Sequence, residues 1–235
     1  MSAPRDKRAA RALRRIDEAP NLRGAGRYPL LLALVLVDVL LPFVLPPSDW
    51  SSFFATVMVA ITLVMGLFTA GAPRRATRIA LIIGAAFIVF AVIEATTHTT
   101  RLQTIQFFLL SLLLICTPPL ILRRIFAERT VTLRILFGAV SIYILIGLTF
   151  GYLFVGVYRA TGQFFTQTGS HTPADFVYFS FITMLTVGYG DLTPATSLAR
   201  VLAIFDAMLG QIFLVTAVAL LVSLYGQHAR GDDQG

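Results

Sequence analysis

The sequence is poor in charge and in cysteine. Charged residues make up 13% of its 235 residues, against roughly 25% in soluble domains. The single cysteine, Cys116, excludes an internal disulfide and with it a secreted disulfide scaffold. A nucleophile–base pair, a metal-spaced His/Cys cluster and a phosphate-binding loop are also absent from the sequence. Nothing in it therefore predicts an enzyme or a bound cofactor.

Apolar residues are what the sequence has in excess. They make up 57% of the chain, whereas soluble domains contain roughly 45–50%, and a chain this short cannot bury such an excess in a water-soluble core. The chain is therefore predicted to be an integral membrane protein. A helix that crosses a bilayer needs about 20 apolar residues. Six stretches meet this need: 28–46, 52–71, 78–96, 104–122, 132–158 and 198–226.

A seventh apolar stretch, at 174–185, is too short to cross the membrane. Its 12 residues correspond to roughly 18 Å of helix, which fits a re-entrant segment that enters and leaves on one side. Three residues favour a helix start here. Thr172 can cap the helix, Pro173 suits the first helical position, and Asp175 suits the first turn.

The basic residues are concentrated on one side of the predicted spans. Sixteen of the 19 Lys and Arg residues lie on that side, eight of them in segment 1–27, and only Arg101, Arg159 and Arg200 lie on the other. The positive-inside rule then predicts a multi-pass plasma-membrane protein with both termini in the cytoplasm. The net charge of +7 is therefore not interpreted as a nucleic-acid footprint. Segment 1–27 is interpreted as an anchor on anionic membrane lipids, the alternative being an arm that binds nucleic acid or another partner.

The short stretch is followed by the sequence TVGYGD at 186–191. Non-helical backbone at membrane depth is tolerated only where protein encloses it or where it lines a water path. Four such loops around an axis would present rings of carbonyls to a dehydrated cation. Successive carbonyls can point the same way only if alternate residues take dihedrals closed to ordinary side chains, which Gly188 and Gly190 can do. Val187 and Tyr189 are then expected to point away from the axis and to pack on the short helix.

This motif and the surrounding YFSFITMLTVGYGDLTP resemble the pore loop of potassium channels, whose filter sequence is TVGYG. The similarity extends over 132–226, and it implies a homotetramer because one chain supplies one filter loop. The resemblance also implies that potassium ions are the permeant ligand and that their ligands are the backbone carbonyls of Thr186, Val187, Gly188 and Tyr189. Gly190 and Asp191 would support the filter. The alternative is a glycine-rich membrane turn without this role.

The last apolar stretch carries the other residues that the resemblance marks. Gly210 falls at the position of a gating hinge, although a small residue for close helix packing explains it equally well. Asp206, one turn before Gly210, is expected either to hydrogen-bond behind the short helix or to line the pore cavity, and the first role is favoured. The residues expected to line that cavity are Gln211, Leu214 and Val218.

Two positions depart from the pattern of the family. Leu185 stands where many members have a further threonine before the filter. Ile182 stands where some bacterial members have a glutamate behind the filter. Both departures affect the network expected to support the filter, and neither removes an ion-binding carbonyl.

The first four apolar stretches resemble the sensor helices of six-span voltage-gated channels, but they lack the charged ladder. In that architecture the fourth helix carries Arg at every third position, and each charge that crosses the field contributes about 2.3 kcal/mol per 100 mV. The stretch 104–122 contains no Arg or Lys; Arg101 precedes it and two arginines follow at 123–124. Prolines at 118–119 are expected to break this helix. We therefore expect little or no intrinsic voltage sensing.

Ionisable residues inside a membrane are costly, so the acids within the first and third stretches need partners. Asp38 and Glu94 are expected to pair with Arg101 or with each other. His171, in the loop before the short helix, is expected to be solvated, the alternative being a pH sensor.

The predicted fold is an all-α integral membrane protein. It has six transmembrane helices, a re-entrant pore helix and a selectivity-filter loop that forms a tetrameric pore. Its segments are a basic cytoplasmic N-terminus (1–27), a four-helix membrane domain (28–126), a pore domain (132–226) and a short cytoplasmic tail (227–235). The predicted function is passive, potassium-selective conduction without strong voltage gating. The alternative is a membrane subunit or sensor that has a channel-like loop and modulates other proteins without conducting.

Overall fold

The computed structural model of the chain describes residues 28–46, 49–69, 74–97, 99–127 and 133–232. The basic segment 1–27, with its predicted anchoring role, lies outside the described residues. Apart from one isolated bridge between Phe165 and Pro194, the regular structure of the described part is helical. Its helices are α1 (Tyr28–Val44), α2 (Asp49–Thr69), α3 (Arg74–Thr97), α4 (Thr100–Ile115), α5 (Thr117–Ala127), α6 (Leu133–Thr161), α7 (Pro173–Met184) and α8 (Ser197–Asp232).

The helices confirm an all-α membrane fold. Five helical stretches are apolar and long enough to cross a membrane: Ser51–Thr69, Thr77–Glu94, Thr100–Arg123, Ile135–Thr161 and Ser197–Leu220. Helix α1 is also apolar but has only 17 residues. That length corresponds to about 26 Å, which is at the lower limit for crossing a bilayer.

The fourth predicted span is divided at Cys116, which forms a turn between α4 and α5. The prolines at 118–119 do not end α4 themselves, because they lie in the first turn of α5. Proline is tolerated there since the first N–H groups of a helix have no intrahelical acceptor. As a result Arg123, which is exposed, belongs to α5 and not to α4.

Helix α6 is the central element of the described chain, in contact with α1, α4, α5, α7 and α8. Two polar contacts join it to α4. The Ser111 hydroxyl donates to the Thr149 carbonyl at 3.0 Å, in a buried position. The Arg159 guanidinium donates to the Gln103 side chain. Helix α4 is therefore bonded to α6 near both of its ends.

The acids predicted to need partners are both buried. Asp38 Oδ2 accepts a hydrogen bond from the Thr62 hydroxyl of α2 at 2.6 Å, and its Oδ1 has no hydrogen-bond partner among the described residues. Arg101 is exposed, so the predicted pairing of Asp38 with Arg101 is wrong. A neutral hydroxyl takes the place of the cation. Glu94 is fully buried on α3.

Candidate functional site

The re-entrant helix α7 begins where the sequence predicts. Pro173 is its first residue, and the Asp175 carboxylate accepts hydrogen bonds from the N–H and the hydroxyl of Thr172 at 2.7 and 3.1 Å. Asp175 thereby folds back over the helix start, where its negative charge is favourable at the positive end of the helix dipole. The helix ends at Met184, just before the TVGYGD segment.

Two backbone hydrogen bonds join the loops on either side of α7. The Thr166 N–H donates to the Thr193 carbonyl, and the Ala195 N–H donates to the Phe164 carbonyl, each at 2.8 Å. The first loop directly follows α6 and the second directly precedes α8. The segment between them therefore begins and ends on the same side, which makes it re-entrant. We call the side where these loops meet the mouth side.

An aromatic cluster holds the first half of α7 in place. Phe176 and Phe179 of α7 are buried against Phe164 and Phe165 of the first mouth-side loop and against Phe154 of α6. Neighbouring ring centroids in this cluster are 4.9–6.1 Å apart. Each such pair adds about 0.5–1.5 kcal/mol beyond its burial. The cluster therefore fixes the position of the N-terminal half of α7 against α6 and the mouth-side loop.

His171 packs at the edge of this cluster. It was expected to be solvated, but its ring is only partly exposed. Its ring is half-buried and meets the Phe165 ring edge-on, with centroids 5.0 Å apart. Its Nε2 atom lies 3.1 Å from the Gln167 carbonyl oxygen. The ring therefore packs as part of the mouth-side loop.

The backbone of the TVGYGD segment alternates in conformation. Thr186, Gly188 and Gly190, at every second position, have positive φ angles of 58°, 55° and 79°. Glycine takes such angles freely. Thr186 is the one non-glycine residue of the described chain with a positive φ, and a β-branched residue rarely adopts one. The sequence therefore indicates the two glycines but gives no signal for Thr186.

The amide groups of the segment are held by the end of α7. The Val187 and Gly188 N–H groups both donate to the Ile182 carbonyl, at 2.9 and 3.3 Å. The Thr186 N–H donates to the Thr183 carbonyl at 3.0 Å. Ile182 therefore supports the segment through its carbonyl oxygen, at the position where some family members use a glutamate side chain.

Packing of Val187 and Tyr189 on α7 stays a prediction, because the single chain does not bury these residues. Their side chains are 45% and 71% exposed. All of residues 185–190 are exposed as well. Non-helical backbone at membrane depth must be enclosed by protein or line a water path, and this chain does not enclose its own segment. The single chain therefore leaves this segment open, either to a protein neighbour or to a water path.

The acid at the end of the segment is bonded to α7. The Tyr178 hydroxyl donates to Asp191 Oδ2 at 2.9 Å. This bond joins the middle of α7 to the mouth-side end of the TVGYGD segment. Tyr178 is absent from the sequence-based site, although it is the only tyrosine in α7, which is the signal that could have identified it.

Helix α8 passes the end of α7 at Gly210. A Cβ atom added at Gly210 would lie 2.0 Å from the Met184 Cγ atom, so the Met184 side chain occupies the space that a side chain would need. Helix α8 continues unbroken through this position. The geometry is that of close helix packing, and a hinge at Gly210 stays a prediction.

The three residues predicted to line a cavity have different surroundings. Gln211 is half-buried, and its side-chain amide donates to the Met184 carbonyl at 3.1 Å. The Tyr143 hydroxyl of α6 donates to the same carbonyl at 3.4 Å. Leu214 and Val218 are 42% and 51% exposed in the single chain. Gln211 is therefore engaged with α7, and cavity lining by the other two stays a prediction.

Comparison with known proteins points to one class. Residues 138–227 match a family model described as an ion channel. The chain is 40% identical over 76 residues to a two pore potassium channel c of Oryza sativa subsp. japonica, which covers 31% of this chain and 17% of the relative. It is 40% identical over 73 residues to a two-pore potassium channel 4 of Arabidopsis thaliana, which covers 31% of this chain and 25% of the relative. The chain thus matches a quarter or less of the length of these relatives.

Proposed function

Because residues 138–227 match an ion channel family and similar stretches of potassium channels match this chain, we propose that it conducts potassium ions passively and selectively across a membrane. The proposed activity is that of a channel and not of an enzyme, in a multi-pass membrane protein. In the proposed mechanism, the carbonyls of Thr186, Val187, Gly188 and Tyr189 replace the water around a dehydrated ion. The observation that carries this proposal is the positive φ at every second residue from 186 to 190, because this alternation turns successive carbonyls to one side.

A homotetramer is part of the proposal because one chain leaves its filter loop uncovered. Four copies around an axis would enclose residues 185–190, which are exposed in the single chain. Helix α8 also needs other molecules to cover it, since most of its residues from 197 to 220 are exposed or only half-buried in the single chain. Neighbouring copies and membrane lipids are the proposed partners of this surface. Leu214 and Val218 are proposed to face the cavity below the filter.

Helix α7 adds an electrostatic contribution to this arrangement. Its C-terminal end lies directly before the filter, and the last carbonyls of a helix carry partial negative charge. Four such ends would converge on the axis and favour a cation there. Asp191, tied to Tyr178, is proposed to add negative charge near the mouth of the pore.

The proposed membrane is the plasma membrane, with both termini in the cytoplasm. This orientation follows from the 16 basic residues on one side of the spans against three on the other. In this orientation the mouth side faces outward. The basic segment 1–27 would then lie against anionic lipids of the inner leaflet.

Reconstitution in liposomes tests the proposed function. Potassium and sodium fluxes are measured with the same preparation, and the oligomeric state is measured in the same detergent before reconstitution. We expect a tetramer that passes potassium in strong preference to sodium. Equal fluxes of the two ions would contradict potassium selectivity. A tetramer without flux would favour the alternative of a modulatory subunit.

The conductance is expected to depend only weakly on voltage. One charge that crosses the whole field would change the open-to-closed ratio by about 50-fold per 100 mV. Helix α4 carries no charge after Arg101, and it is bonded to α6 through Ser111 and Arg159. We therefore expect a change far below 50-fold per 100 mV in planar-bilayer recordings with stepped potential. A steep dependence would show that α5, which carries Arg123, moves through the field.

Replacing Tyr178 with phenylalanine is expected to shorten the conducting periods of the filter several-fold. The variant keeps the ring and removes the hydroxyl that donates to Asp191 Oδ2, so the mouth-side end of the filter loses its bond to α7. Single-channel recordings at constant potential measure the change. Tyr158→Phe, on α6, is the matched control and should leave the conducting periods unchanged. Equal kinetics in Tyr178→Phe and the unmodified protein would mean that the bond does not stabilise the filter.

A further inference from the structure

Helix α8 packs on α6 and α7 through a stripe of small residues that includes one acid. Ala199, Ala203, Asp206 and Gly210 recur at helical spacing on one face and are all buried. Asp206 has 0% of its surface exposed, and neither of its carboxyl oxygens has a hydrogen-bond partner among the described residues. Asp206 is therefore turned toward the neighbouring helices and away from any cavity of the pore.

Ser180 of α7 and Asp206 of α8 each lie one turn before the contact between Met184 and Gly210. Both helices run away from the mouth side and both residues are fully buried, so the Ser180 hydroxyl is the α7 group placed to meet the Asp206 carboxyl. A serine hydroxyl has one hydrogen to donate. Ser180 donates its hydrogen to the Gly147 carbonyl of α6 at 2.9 Å, in a fully buried position. Ser180 therefore has no hydrogen left for Asp206, but its oxygen can still accept one.

Helix α6 supplies no donor to Asp206 among the described residues. The Tyr143 hydroxyl of α6 is directed to the Met184 carbonyl at 3.4 Å instead. An ionised carboxylate at this position would be buried without a donor, which is strongly unfavourable. A protonated carboxyl group carries no charge and can itself donate a hydrogen bond, so it avoids the cost of burying an ionised carboxylate without a donor.

From this geometry we propose that Asp206 is a neutral carboxylic acid that donates its proton to the Ser180 hydroxyl. The chain of bonds then runs from Asp206 of α8 to Ser180 of α7 and on to the Gly147 carbonyl of α6. Asp206 is a positioning residue for the filter, because Ser180 lies one turn before Met184, where α7 ends. This role rests on the proposed function, since it concerns the stability of a conducting filter.

The proposal also accounts for the apolar residue at Ile182. An acid behind the filter is absent from α7 at that position, and Ile182 supports the filter by its carbonyl alone. Asp206 supplies an acid from α8 instead, one helical turn before the contact between Gly210 and Met184. The two helices are thereby locked in register beside the filter by a polar bond, next to the apolar contact between Gly210 and Met184.

Infrared spectroscopy of the full-length protein in liposomes tests the protonation state without any flux measurement. We expect a carbonyl stretching band of a protonated carboxyl at neutral pH. The band should disappear in Asp206→Asn and shift in Ser180→Ala, because the acceptor of its hydrogen bond is lost. Asp38→Asn, which removes another buried acid, should leave this band in place. A spectrum of Asp206→Asn identical to that of the unmodified protein in this region would overturn the proposal.

Single-channel recordings test the positioning role. Asparagine is neutral and can still donate to Ser180, so Asp206→Asn should keep the conducting periods and the potassium-to-sodium ratio. Asp206→Ala and Ser180→Ala should both shorten the conducting periods, by about fivefold for the loss of one ordinary hydrogen bond. If Asp206→Asn lowers the unitary conductance as much as Asp206→Ala does, the residue acts by its charge and the proposal is wrong. Absence of potassium flux in the unmodified protein would refute the proposed function, and the infrared result would still decide the state of Asp206.

Discussion

Replacing Gly190 with alanine is expected to abolish potassium-selective flux, whereas replacing Gly162 with alanine should preserve it. The two glycines have nearly the same φ angles, 79° and 78°. A Cβ atom added at either position would meet no atom of the chain within 4 Å. The local strain of the two variants is therefore the same, about 1–2 kcal/mol for a side chain in the left-handed region. What differs is the place where the strain acts.

The strain at Gly190 acts on the proposed filter. An alanine there can relieve it only by rotating its backbone toward negative φ, which turns a carbonyl away from the direction set by the alternation at 186, 188 and 190. In a tetramer the same change occurs four times around one axis. Gly162 lies in the loop that follows α6, where a backbone rotation displaces no ion ligand. The flux of the Gly162 variant should therefore stay close to that of the unmodified protein.

Three measurements decide this comparison. Potassium and sodium fluxes in liposomes give conduction and selectivity, size-exclusion chromatography gives the assembly, and thermal unfolding gives the stability. Both variants should lose a similar, small amount of stability, and only Gly190→Ala should lose selective flux. Gly188→Ala, at a φ of 55°, should behave like Gly190→Ala. Unchanged flux in both filter variants would remove the filter assignment.

Replacing Gly210 with alanine is expected to disrupt the contact between α7 and α8. The added Cβ atom would lie 2.0 Å from the Met184 Cγ atom and 3.0 Å from its sulfur. Overpacking of this kind costs about 1–3 kcal/mol in each copy. Because Met184 is the last residue of α7, its displacement would also move the carbonyl to which Gln211 and Tyr143 donate. We expect reduced thermal stability and a large loss of flux.

The double variant Gly210→Ala with Met184→Ala distinguishes packing from a hinge. If packing is the reason for glycine, truncation of Met184 removes the clash, and the double variant should recover part of the stability and flux lost in Gly210→Ala. If Gly210 is a hinge, the double variant should stay as impaired as the single variant. Gly84→Ala on α3 is the matched control, because its Cβ atom would meet Ala60 at an ordinary 3.7 Å. It should leave stability and flux unchanged.

Local rules predicted the elements well and their partners poorly. Thr172, Pro173 and Asp175 mark the start of α7 correctly, since a helix start depends on a few adjacent residues. The prolines at 118–119 predicted a helix break, and the helix does break there, but the break is at Cys116 and the prolines lie in the first turn of the next helix. A proline excludes the helix interior but is allowed in a first turn, and the sequence alone does not decide which of the two applies.

Contacts between distant residues were the part of the site that the sequence did not reveal. Gln211 is a polar residue that was expected to line the cavity. Its side-chain amide donates a hydrogen bond to the Met184 carbonyl, 27 positions earlier. Asp38 was expected to pair with Arg101 or with Glu94, and its carboxylate accepts a hydrogen bond from Thr62, 24 positions later. Both partners are chosen by how the helices pack, and no local pattern encodes that choice.

The amino-acid sequence alone was enough to predict a membrane protein and the backbone freedom of its proposed filter. Apolar length predicts the spans, and the two glycines of TVGYGD permit the alternating backbone because their freedom is a covalent property of each residue. The tertiary structure was needed to show that Met184 fills the space at Gly210, that Tyr178 donates to Asp191, and that Asp206 is fully buried. The physical reason is that burial and hydrogen bonding depend on the neighbours that folding brings together, and α6, α7 and α8 meet only after the chain has re-entered the membrane.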